Sequence, residues 1–269
     1  MMRLLQISDP HFGTEQGPVV DALLDLARTL APDVAVLSGD ITQRARHAQF
    51  AAASAFVDAL PVARAMVIPG NHDIPLFAFW HRFLYPYRNY ARAFGADLEP
   101  EITRADLLLI GVNTTRAYRH KHGEVGAAQI DRVAARLRAS GPGQLRVVVV
   151  HQPMHVPRPA DEPNLLRNAA NAAAAWAEAG ADLVLGGHIH LPYVLPMSKR
   201  HAGLVRELWC VQAGTAVSSR IRREAPNSVN VIDWAANAAE PACDVLRFDY
   251  DVARMAFVQA AQHRLALQR

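Results

Sequence analysis

The chain has 269 residues, of which 51% are hydrophobic and 20% charged, and a formal net charge of +3. No apolar run approaches the roughly 20 residues that a membrane-spanning helix needs, and the composition is unlike that of disordered chains. The first residues lead directly into a predicted strand, unlike a signal peptide, and two cysteines without an export signal are typical of a reducing compartment. We therefore expect one cytoplasmic domain over residues 1–269, with Cys210 and Cys243 reduced.

The first part of the chain alternates short apolar runs with longer amphipathic segments. Runs of Val, Leu and Ile predict buried strands, and apolar residues at spacings of three and four predict helices. Strands are predicted at residues 3–7, 34–37 and 65–68, and helices at residues 19–30 and 45–60. The alternation is typical of an α/β protein.

The second part continues this pattern and then changes. Strands are predicted at residues 107–112, 145–150 and 182–185, and helices at residues 126–137 and 164–179. Toward the C-terminus, antiparallel strands of a second sheet are predicted at residues 206–212, 228–233 and 244–250, and a closing helix at residues 252–267. The sequence has no internal repeat, and no composition shift marks the start of a second domain.

Aromatic side chains recur at spacings of three and four over residues 77–94. They are Trp80, Phe83, Tyr87, Tyr90 and Phe94. Such a stripe is more often part of a core than a substrate wall or a subunit contact. Pro86 should kink or break any helix there. We assign this segment no chemistry.

Several predicted strands end in side chains that can bind a metal or move a proton. Because alternate side chains of a strand share a side, Asp9 and His11 should point the same way and bind one ion. Each cluster alone has another explanation, such as a helix cap at Asp40 or a turn at Asn71. Their joint occurrence at strand ends predicts one site. The candidate ligands are Asp9, His11, Asp40, Asn71, His151, His188 and His190.

These candidate ligands are carboxylates, imidazoles and an amide, without a thiolate. The set suits Mn²⁺, Fe or Zn²⁺, and it is too large for one tetrahedral ion and about right for two. Two neighbouring ions clamp the attacking and leaving oxygens of a phosphoryl displacement and lower the pKa of a bridging water. The donor set therefore predicts two metal ions per chain and phosphoester hydrolysis.

The ordered motifs resemble those of the calcineurin-like metallophosphoesterases. The resemblance rests on Asp9-x-His11, Gly39-Asp40, Gly70-Asn71-His72-Asp73, His151 and Gly187-His188-x-His190. It implies a four-layer α/β/β/α sandwich, completed by residues 206–267, in which metal-bound hydroxide attacks the phosphorus. It also implies that one metal is held by Asp9, His11, Asp40 and His190, and the other by Asp40, Asn71, His151 and His188.

Within this superfamily the chain is similar to the bacterial class III cyclic nucleotide phosphodiesterases, which implies a small substrate such as 3′,5′-cAMP. Many of these enzymes have a second histidine directly after the equivalent of His151, where this chain has Gln152. A glycerophosphodiester or another small phosphoester therefore stays an alternative substrate. His72 separates the chain from the lipid A pathway pyrophosphatases, which typically have arginine there, and the length hardly allows the capping domain of the DNA-repair nucleases.

Two further alternatives stay open. A pI near 9.1 hints at a nuclease, but the sequence has no basic stripe with interleaved aromatic residues. An inactive, metal-bound binding module is the other alternative, and the presence of His72 argues against it. We therefore expect a small phosphodiester as partner, without membrane or nucleic acid, and leave open whether the chain forms a homo-oligomer.

The resemblance also implies that His72 contacts the scissile phosphate and binds no metal. We expect His72 to act as general acid toward the leaving alkoxide, with Asp73 helping to orient the imidazole. Further candidates for substrate contacts are Arg44, Arg46, Arg116 and Arg220, each of which follows a strand end, and His155 in the loop after His151.

Overall fold

The computed structural model describes residues 1–76, 79–235 and 242–268; residues 77 and 78, at the start of the aromatic segment, lie outside this description. The first part of the chain follows the predicted alternation, since its strands are largely buried and its helices each bury one face. The elements are β1 (Met2–Ile7), α1 (Gly17–Leu30), β2 (Val34–Ser38), α2 (His47–Ala59), β3 (Arg64–Ile68), a 3₁₀ turn (Asn71–Asp73), α3 (Phe79–Leu84) and α4 (Arg88–Phe94).

The second part contains the other predicted strands and, apart from the closing helix discussed below, the other predicted helices. The helix predicted at residues 164–179 begins later than expected, because a proline-containing 3₁₀ segment, Pro159–Asn164, precedes it. The elements are β4 (Glu101–Thr103), β5 (Leu107–Gly111), α5 (Ala127–Arg138), β6 (Leu145–Val149), α6 (Ala169–Glu178), β7 (Leu183–Gly186), β8 (Tyr193–Pro196), β9 (Trp209–Gln212), β10 (Ser228–Trp234), β11 (Ala242–Asp251) and β12 (Ala256–Ala266).

Within the described ranges the strands form two six-stranded mixed sheets, ordered β12-β11-β10-β1-β2-β3 and β4-β5-β6-β7-β9-β8. Apolar side chains of the two facing sheets share one core, in which Leu4 and Val36 meet Leu109. The outer face of the first sheet packs on α1, α2 and α4. The outer face of the second packs on α5 and α6, where Trp176 is buried. This order of layers confirms the predicted α/β/β/α sandwich.

The prediction of a closing helix at residues 252–267 is wrong. Ala256–Ala266 is strand β12, which pairs antiparallel with β11 at the edge of the first sheet. The alanine-rich composition favours a helix locally, but strand pairing buries Phe257 and Leu265 and outweighs that preference.

The predicted C-terminal strands exist but are distributed over both sheets. β10 and β11 are antiparallel, as expected, yet they extend the first sheet beside β1. Only β9 joins the second sheet, where it runs parallel to β7 and antiparallel to β8. A strand's sequence pattern describes its two faces and does not identify its neighbours, which explains this error.

The aromatic segment enters the core only in its second half. Pro86 separates α3 from α4, as predicted. Tyr90 is buried and its hydroxyl donates to a main-chain oxygen of β3 at 2.7 Å. Phe94 packs beside it, with ring centroids 5.5 Å apart. Trp80 and Phe83 are 75% and 48% exposed, so the prediction of core packing is wrong for these two.

The structure also bears on two expectations from composition. Cys210 and Cys243 are both buried, and no disulfide joins them. Among the helices in the described part of the chain, none combines the length and the apolar composition needed to cross a bilayer.

The loops that carry the polar clusters meet at one edge of the sandwich. In the first sheet β1, β2 and β3 run parallel, and in the second β6 runs parallel to β7, so the loops that follow them emerge together. A bond between the sheets links these edges, since His188 N donates to Asp9 Oδ2 at 2.9 Å. The convergence of strand ends is therefore as predicted.

Candidate metal centre

The loops after β1 and β2 place Asp9, His11 and Asp40 in a left-handed conformation, with φ angles of 49°, 45° and 48°. Because β1 ends at Ile7, strand alternation does not align Asp9 with His11, and that reasoning is wrong. Main-chain bonds hold the turns instead: Asp9 N donates to Gly39 O at 3.1 Å, and His11 N donates to Asp40 O at 3.0 Å. The side chains still reach one cluster.

One group of candidate ligands comprises Asp9, His11 and His190, whose donor atoms lie within 4.8 Å of one another. His190 Nε2 is 3.4 Å from Asp9 Oδ1 and 3.1 Å from His11 Nε2. The other nitrogen of His190, Nδ1, donates to the main-chain oxygen of Arg220 at 2.6 Å. This contact orients the ring and directs Nε2 into the group, and Nε2 carries the lone pair when the ring is neutral.

The second group comprises Asp40, His151 and His188, also with donor atoms within 4.8 Å. His151 Nδ1 donates to Ser38 O at 2.9 Å, so Nε2 is the nitrogen that faces the group, and it carries the lone pair when the ring is neutral. That Nε2 lies 3.3 Å from Asp40 Oδ1 and 3.2 Å from Asn71 Oδ1. The amide of Asn71 is thus in position to add an oxygen to this group.

Asp40 lies between the two groups. Its Oδ1 is 3.3 Å from His151 Nε2, and its Oδ2 is 3.7 Å from His11 Nε2. Oδ1 also accepts a bond from the main-chain N–H of His72 at 2.8 Å, which fixes the carboxylate. One oxygen therefore faces each group, which is the placement that a bridging ligand requires.

Buried donor atoms approach one another in this cluster, which is unfavourable unless a proton or a metal ion lies between them. His11 Nδ1 and both ring nitrogens of His188 have no hydrogen-bond partner. His151 Nε2 faces the acceptor oxygens of Asp40 and Asn71. Carboxylate and amide oxygens together with imidazole nitrogens suit divalent cations, so the residues present fit two metal ions.

Burial sets the protonation of the imidazoles that lack partners. It lowers the pKa of His11 to about 3, and it lowers the pKa of His188 to about 3 as well. Both rings are therefore neutral at physiological pH, as metal ligands must be.

The two carboxylates stay ionised despite burial. Burial raises the pKa of Asp9, but the charge of His190 and their hydrogen bond outweigh it and lower the value to about 2. Burial acts in the same sense on Asp40, and the charge of His151 holds the pKa of Asp40 well below its ordinary value. Burial lowers the pKa of His151, but the charge of Asp40 and its hydrogen bond to the ring outweigh that effect and raise the pKa to about 9. A bound cation would displace this proton.

Two motif glycines leave room for the ligands. Gly39 has a φ of 96°, and a Cβ at that position would collide with Nδ1 of His151. A Cβ at Gly187 would collide with Ser8 Oγ and with Asp9 Oδ2. Glycine therefore allows close approach at both positions, and at Gly39 it also allows the left-handed backbone conformation.

His72 and Asp73 have different surroundings. The Nδ1 atom of His72 donates to Gln43 O at 3.0 Å, and its ring stands perpendicular to that of His11, with centroids 4.9 Å apart. The carboxylate of Asp73 is turned away from that ring and ties the loop after β2 to the 3₁₀ turn. It accepts bonds from Gly70 N at 2.8 Å, Ile41 N at 3.0 Å, Thr42 N at 2.8 Å and Thr42 Oγ1 at 2.8 Å. The expectation that Asp73 orients His72 is wrong, because Gln43 makes that contact.

An open cavity of about 410 Å³, called the site cavity below, borders the two groups. Its lining residues are Asp40, Asn71, His72, His120, Lys121, His188, Ile189, His190, Arg220, Ile221 and Arg222. Sequence reasoning missed His120, Lys121 and Arg222. The consecutive basic residues Arg119 to His122 were the signal that could have identified this loop.

Three of the arginines predicted to contact substrate line two different cavities. Arg220 lines the site cavity, and its guanidinium donates to Gln43 Oε1 at 2.7 Å. Arg44 and Arg46 line a neighbouring cavity instead.

Two other residues predicted to contact substrate, Arg116 and His155, do not line the site cavity. The guanidinium of Arg116 donates to Asn113 O at 2.9 Å and to Gln129 Oε1 at 2.7 Å, which fixes it away from the site cavity. His155 is only 8% exposed, and its main-chain oxygen accepts a bond from Tyr193 at 2.6 Å on the far side of β9 from the first sheet. Spacing along the chain could not distinguish these positions from those that face the cavity.

A family model described as calcineurin-like phosphoesterase matches residues 2–192. A dimetal phosphatase from Danio rerio is 13% identical, with a TM-score of 0.67 and 99% of each chain covered. A purple acid phosphatase from seeds of yellow lupin (Lupinus luteus) is 9% identical, with a TM-score of 0.68, and the match covers 98% of this chain and 53% of the lupin chain. Vps29 from Chaetomium thermophilum is 10% identical, with a TM-score of 0.51 and full coverage of both chains. At these identities the likenesses show the fold alone. No curated protein matches the chain.

Proposed function

Because this chain belongs to the calcineurin-like phosphoesterases and is thus a metal-dependent phosphoester hydrolase, we propose that it cleaves a small phosphodiester, with a 3′,5′-cyclic nucleotide as the first candidate. The observation that carries the proposal is the position of Asp40, whose two oxygens face two ligand groups beside a cavity lined by His72. That arrangement suits chemistry at a single phosphorus.

We assign Asp9, His11, Asp40 and His190 to one metal ion. The other is assigned to Asp40, Asn71, His151 and His188, with Asp40 shared. When bound, two such cations supply Lewis-acid charge and lower the pKa of a coordinated water; Mn²⁺, Fe and Zn²⁺ all accept this donor set. The main-chain oxygens of Ser38 and Arg220 hold His151 and His190 in the tautomers that coordination needs.

His72 is proposed as the general acid. Its Nδ1 proton is committed to Gln43 O, so the ring is oriented and Nε2 is the atom that can exchange a proton in the site cavity. In the imidazolium form, Nε2–H gives its proton to the departing alkoxide oxygen as the P–O bond breaks. Asp73 has no part in this step beyond holding the loop.

The site cavity supports a small anionic substrate. Its volume of about 410 Å³ falls in the range typical of small-molecule pockets. Lys121, Arg220 and Arg222 add positive charge to its wall. Two acids neutralise Arg222, which pairs with Asp161 at 3.0 Å and with Glu224 at 2.8 Å. Lys121 and Arg220 are therefore the proposed contacts to phosphate oxygens.

One feature of the cavity favours a second candidate. Among the described residues that line it, none is Phe, Tyr or Trp, so a nucleobase would find no such ring for stacking. A glycerophosphodiester needs no stacking partner. We therefore retain glycerophosphodiester hydrolysis as the second candidate function.

A comparison of substrates tests the proposal. Protein reconstituted with Mn²⁺ is assayed against 3′,5′-cAMP, 2′,3′-cAMP, a glycerophosphodiester and single-stranded DNA. We expect turnover of a small diester and negligible cleavage of DNA. Preference for the glycerophosphodiester would select the second candidate. Absence of turnover on all four, with both metals bound, would point to a binding module instead.

Location and assembly stay predictions from the sequence. We expect a cytoplasmic protein that forms one domain. Cell fractionation tests the location, and mass measurement in solution decides between a monomer and a homo-oligomer.

A further inference from the structure

A second open cavity, of about 510 Å³, lies beside the site cavity and is called the arginine cavity here. Its lining includes Arg44, Arg46, Arg88 and Arg92, with His47 and His81. No Asp or Glu is present among the described residues of this lining. Such a concentration of one charge is unusual for a chain whose net charge is only +3.

Two of these arginines form an unfavourable pair on one short helix. Arg88 and Arg92 are four residues apart on α4, so their side chains share a face, and like charges at this spacing repel. Neither guanidinium has an ion pair with a carboxylate of the described residues. In contrast, Arg3 pairs with Asp233 at 2.7 Å, as many arginines of this protein pair with acids. An anion in the cavity would relieve the repulsion.

The opposite wall of the arginine cavity adds positive potential. It is formed by the start of α2, where His47 is the first helical residue, and the first turn contains no acidic side chain. The exposed N–H groups and the dipole at a helix start favour anions. Asn89 ties α4 to this wall, since its Nδ2 donates to Ala45 O at 2.9 Å. The two basic segments are thus held together at the cavity.

The loop after β2 connects this cavity to the proposed reaction site. Gln43 accepts the His72 ring proton on its main-chain oxygen and the Arg220 guanidinium on its side chain. The next residue, Arg44, lines the arginine cavity. A ligand in that cavity would therefore lie across one loop from the residues that contact the scissile phosphate.

We propose that the arginine cavity binds a phosphate group other than the one that is hydrolysed. Arginine is suited to this role because its planar guanidinium donates two parallel hydrogen bonds to phosphate oxygens. The phosphate has two sources: a remote phosphate of the substrate, or a separate phosphate-bearing anion that occupies the cavity independently. The substrate-borne source rests on the proposed function, whereas binding of the group does not.

Calorimetric titration of Mn²⁺-loaded protein with inorganic phosphate tests the site. Arg88→Gln/Arg92→Gln is the cavity variant. Arg64→Gln/Arg138→Gln is the matched control, because these exposed arginines line neither cavity and their replacement removes the same charge. We expect two phosphate sites in the wild type and the control, one of them at the metals. The cavity variant should lose the other site or bind it at least about tenfold more weakly.

Equal phosphate binding by the cavity variant and the control would overturn the proposal, whether the wild type shows one phosphate site or two. Unchanged thermal unfolding and unchanged hydrolysis of bis(4-nitrophenyl) phosphate check that the cavity variant is folded. Because calorimetry needs no turnover, a protein that binds two phosphates but hydrolyses no diester would refute the proposed function and leave this inference standing.

A pair of inhibitors distinguishes the two sources. A dithymidine dinucleotide with a 5′-phosphate and the same dinucleotide without it are compared as inhibitors of diester hydrolysis. If the phosphate belongs to the substrate, the phosphorylated compound should inhibit the cavity variant at least about tenfold more weakly than the wild type. The compound without the 5′-phosphate should inhibit the two proteins equally, within about twofold. If both compounds are unaffected while phosphate binding is lost, the occupant is a separate anion.

Discussion

Replacement of His72 by alanine tests the proposed mechanism directly, because this side chain lines the site cavity without belonging to either ligand group. Its contact with Asp40 uses the main-chain N–H, at 2.8 Å from Oδ1, which the alanine variant retains. The variant loses the ring's hydrogen bond to Gln43, at 3.0 Å, and its edge contact with His11. Asp40 should therefore keep its position, and the variant should retain both metal ions.

The expected loss of activity depends on the leaving group. A general acid typically contributes about 10²–10⁴ to the rate, which corresponds to about 2.7–5.4 kcal/mol of transition-state stabilisation. A cyclic nucleotide should show this loss, because its ribose alkoxide needs a proton as it departs. Bis(4-nitrophenyl) phosphate should lose much less, because nitrophenolate departs readily without one. The measurement is kcat/KM of both proteins on both substrates, with metal analysis of each preparation.

His72→Gln is the matched control, since its amide can still donate to Gln43 O but cannot release a proton at neutral pH. It should resemble the alanine variant on the cyclic nucleotide. Equal losses on both substrates would refute the acid role and leave electrostatic stabilisation of the phosphoryl oxygens. A missing metal ion would show instead that His72 is a ligand.

Three other changes test separate parts of the site. Asp40→Ala should weaken binding of both metal ions, and His190→Ala should weaken mainly that of one. If metal analysis shows that each variant loses a single ion, Asp40 is not a bridging ligand. Asp73→Ala leaves three buried main-chain N–H groups unpaired, so the free energy of unfolding should fall by about 3 kcal/mol or more. Chemical denaturation measures that change, and an unaltered midpoint would contradict the structural role. Arg220→Gln should raise KM for a diester more than it lowers kcat, whereas Arg116→Gln should leave KM unchanged; the opposite result would reverse these assignments.

The sequence predicted the elements around the site because their signals are local. The buried strands β1, β2, β3, β6 and β7 are short runs of apolar residues, and a polar cluster follows each of them. Strand β12 was missed because its alanine-rich sequence favours a helix, and only pairing with β11 makes it a strand. The wall of the site cavity at His120 and Lys121 was missed because a loop's position depends on tertiary contacts rather than on spacing.

The arginine cavity shows the same limit more clearly. Arg44 and Arg46 precede α2, whereas Arg88 and Arg92 lie on α4, so the charges come together only when the two helices pack. No short pattern contains that relation. The abundance of arginine in the composition could not distinguish this cluster from the arginines elsewhere in the chain.

The backbone supplies evidence for the metal centre that is independent of the motifs. Five of the six residues in the two ligand groups have left-handed φ angles: Asp9, His11, Asp40, His188 and His190. Such a conformation costs about 1–3 kcal/mol per non-glycine residue, and Asp and His tolerate it better than branched residues do. Glycine would remove the strain at each position but would also remove the donor atom. The strain is concentrated at the residues that supply donor atoms. This indicates that the function of these loops is to position those side chains.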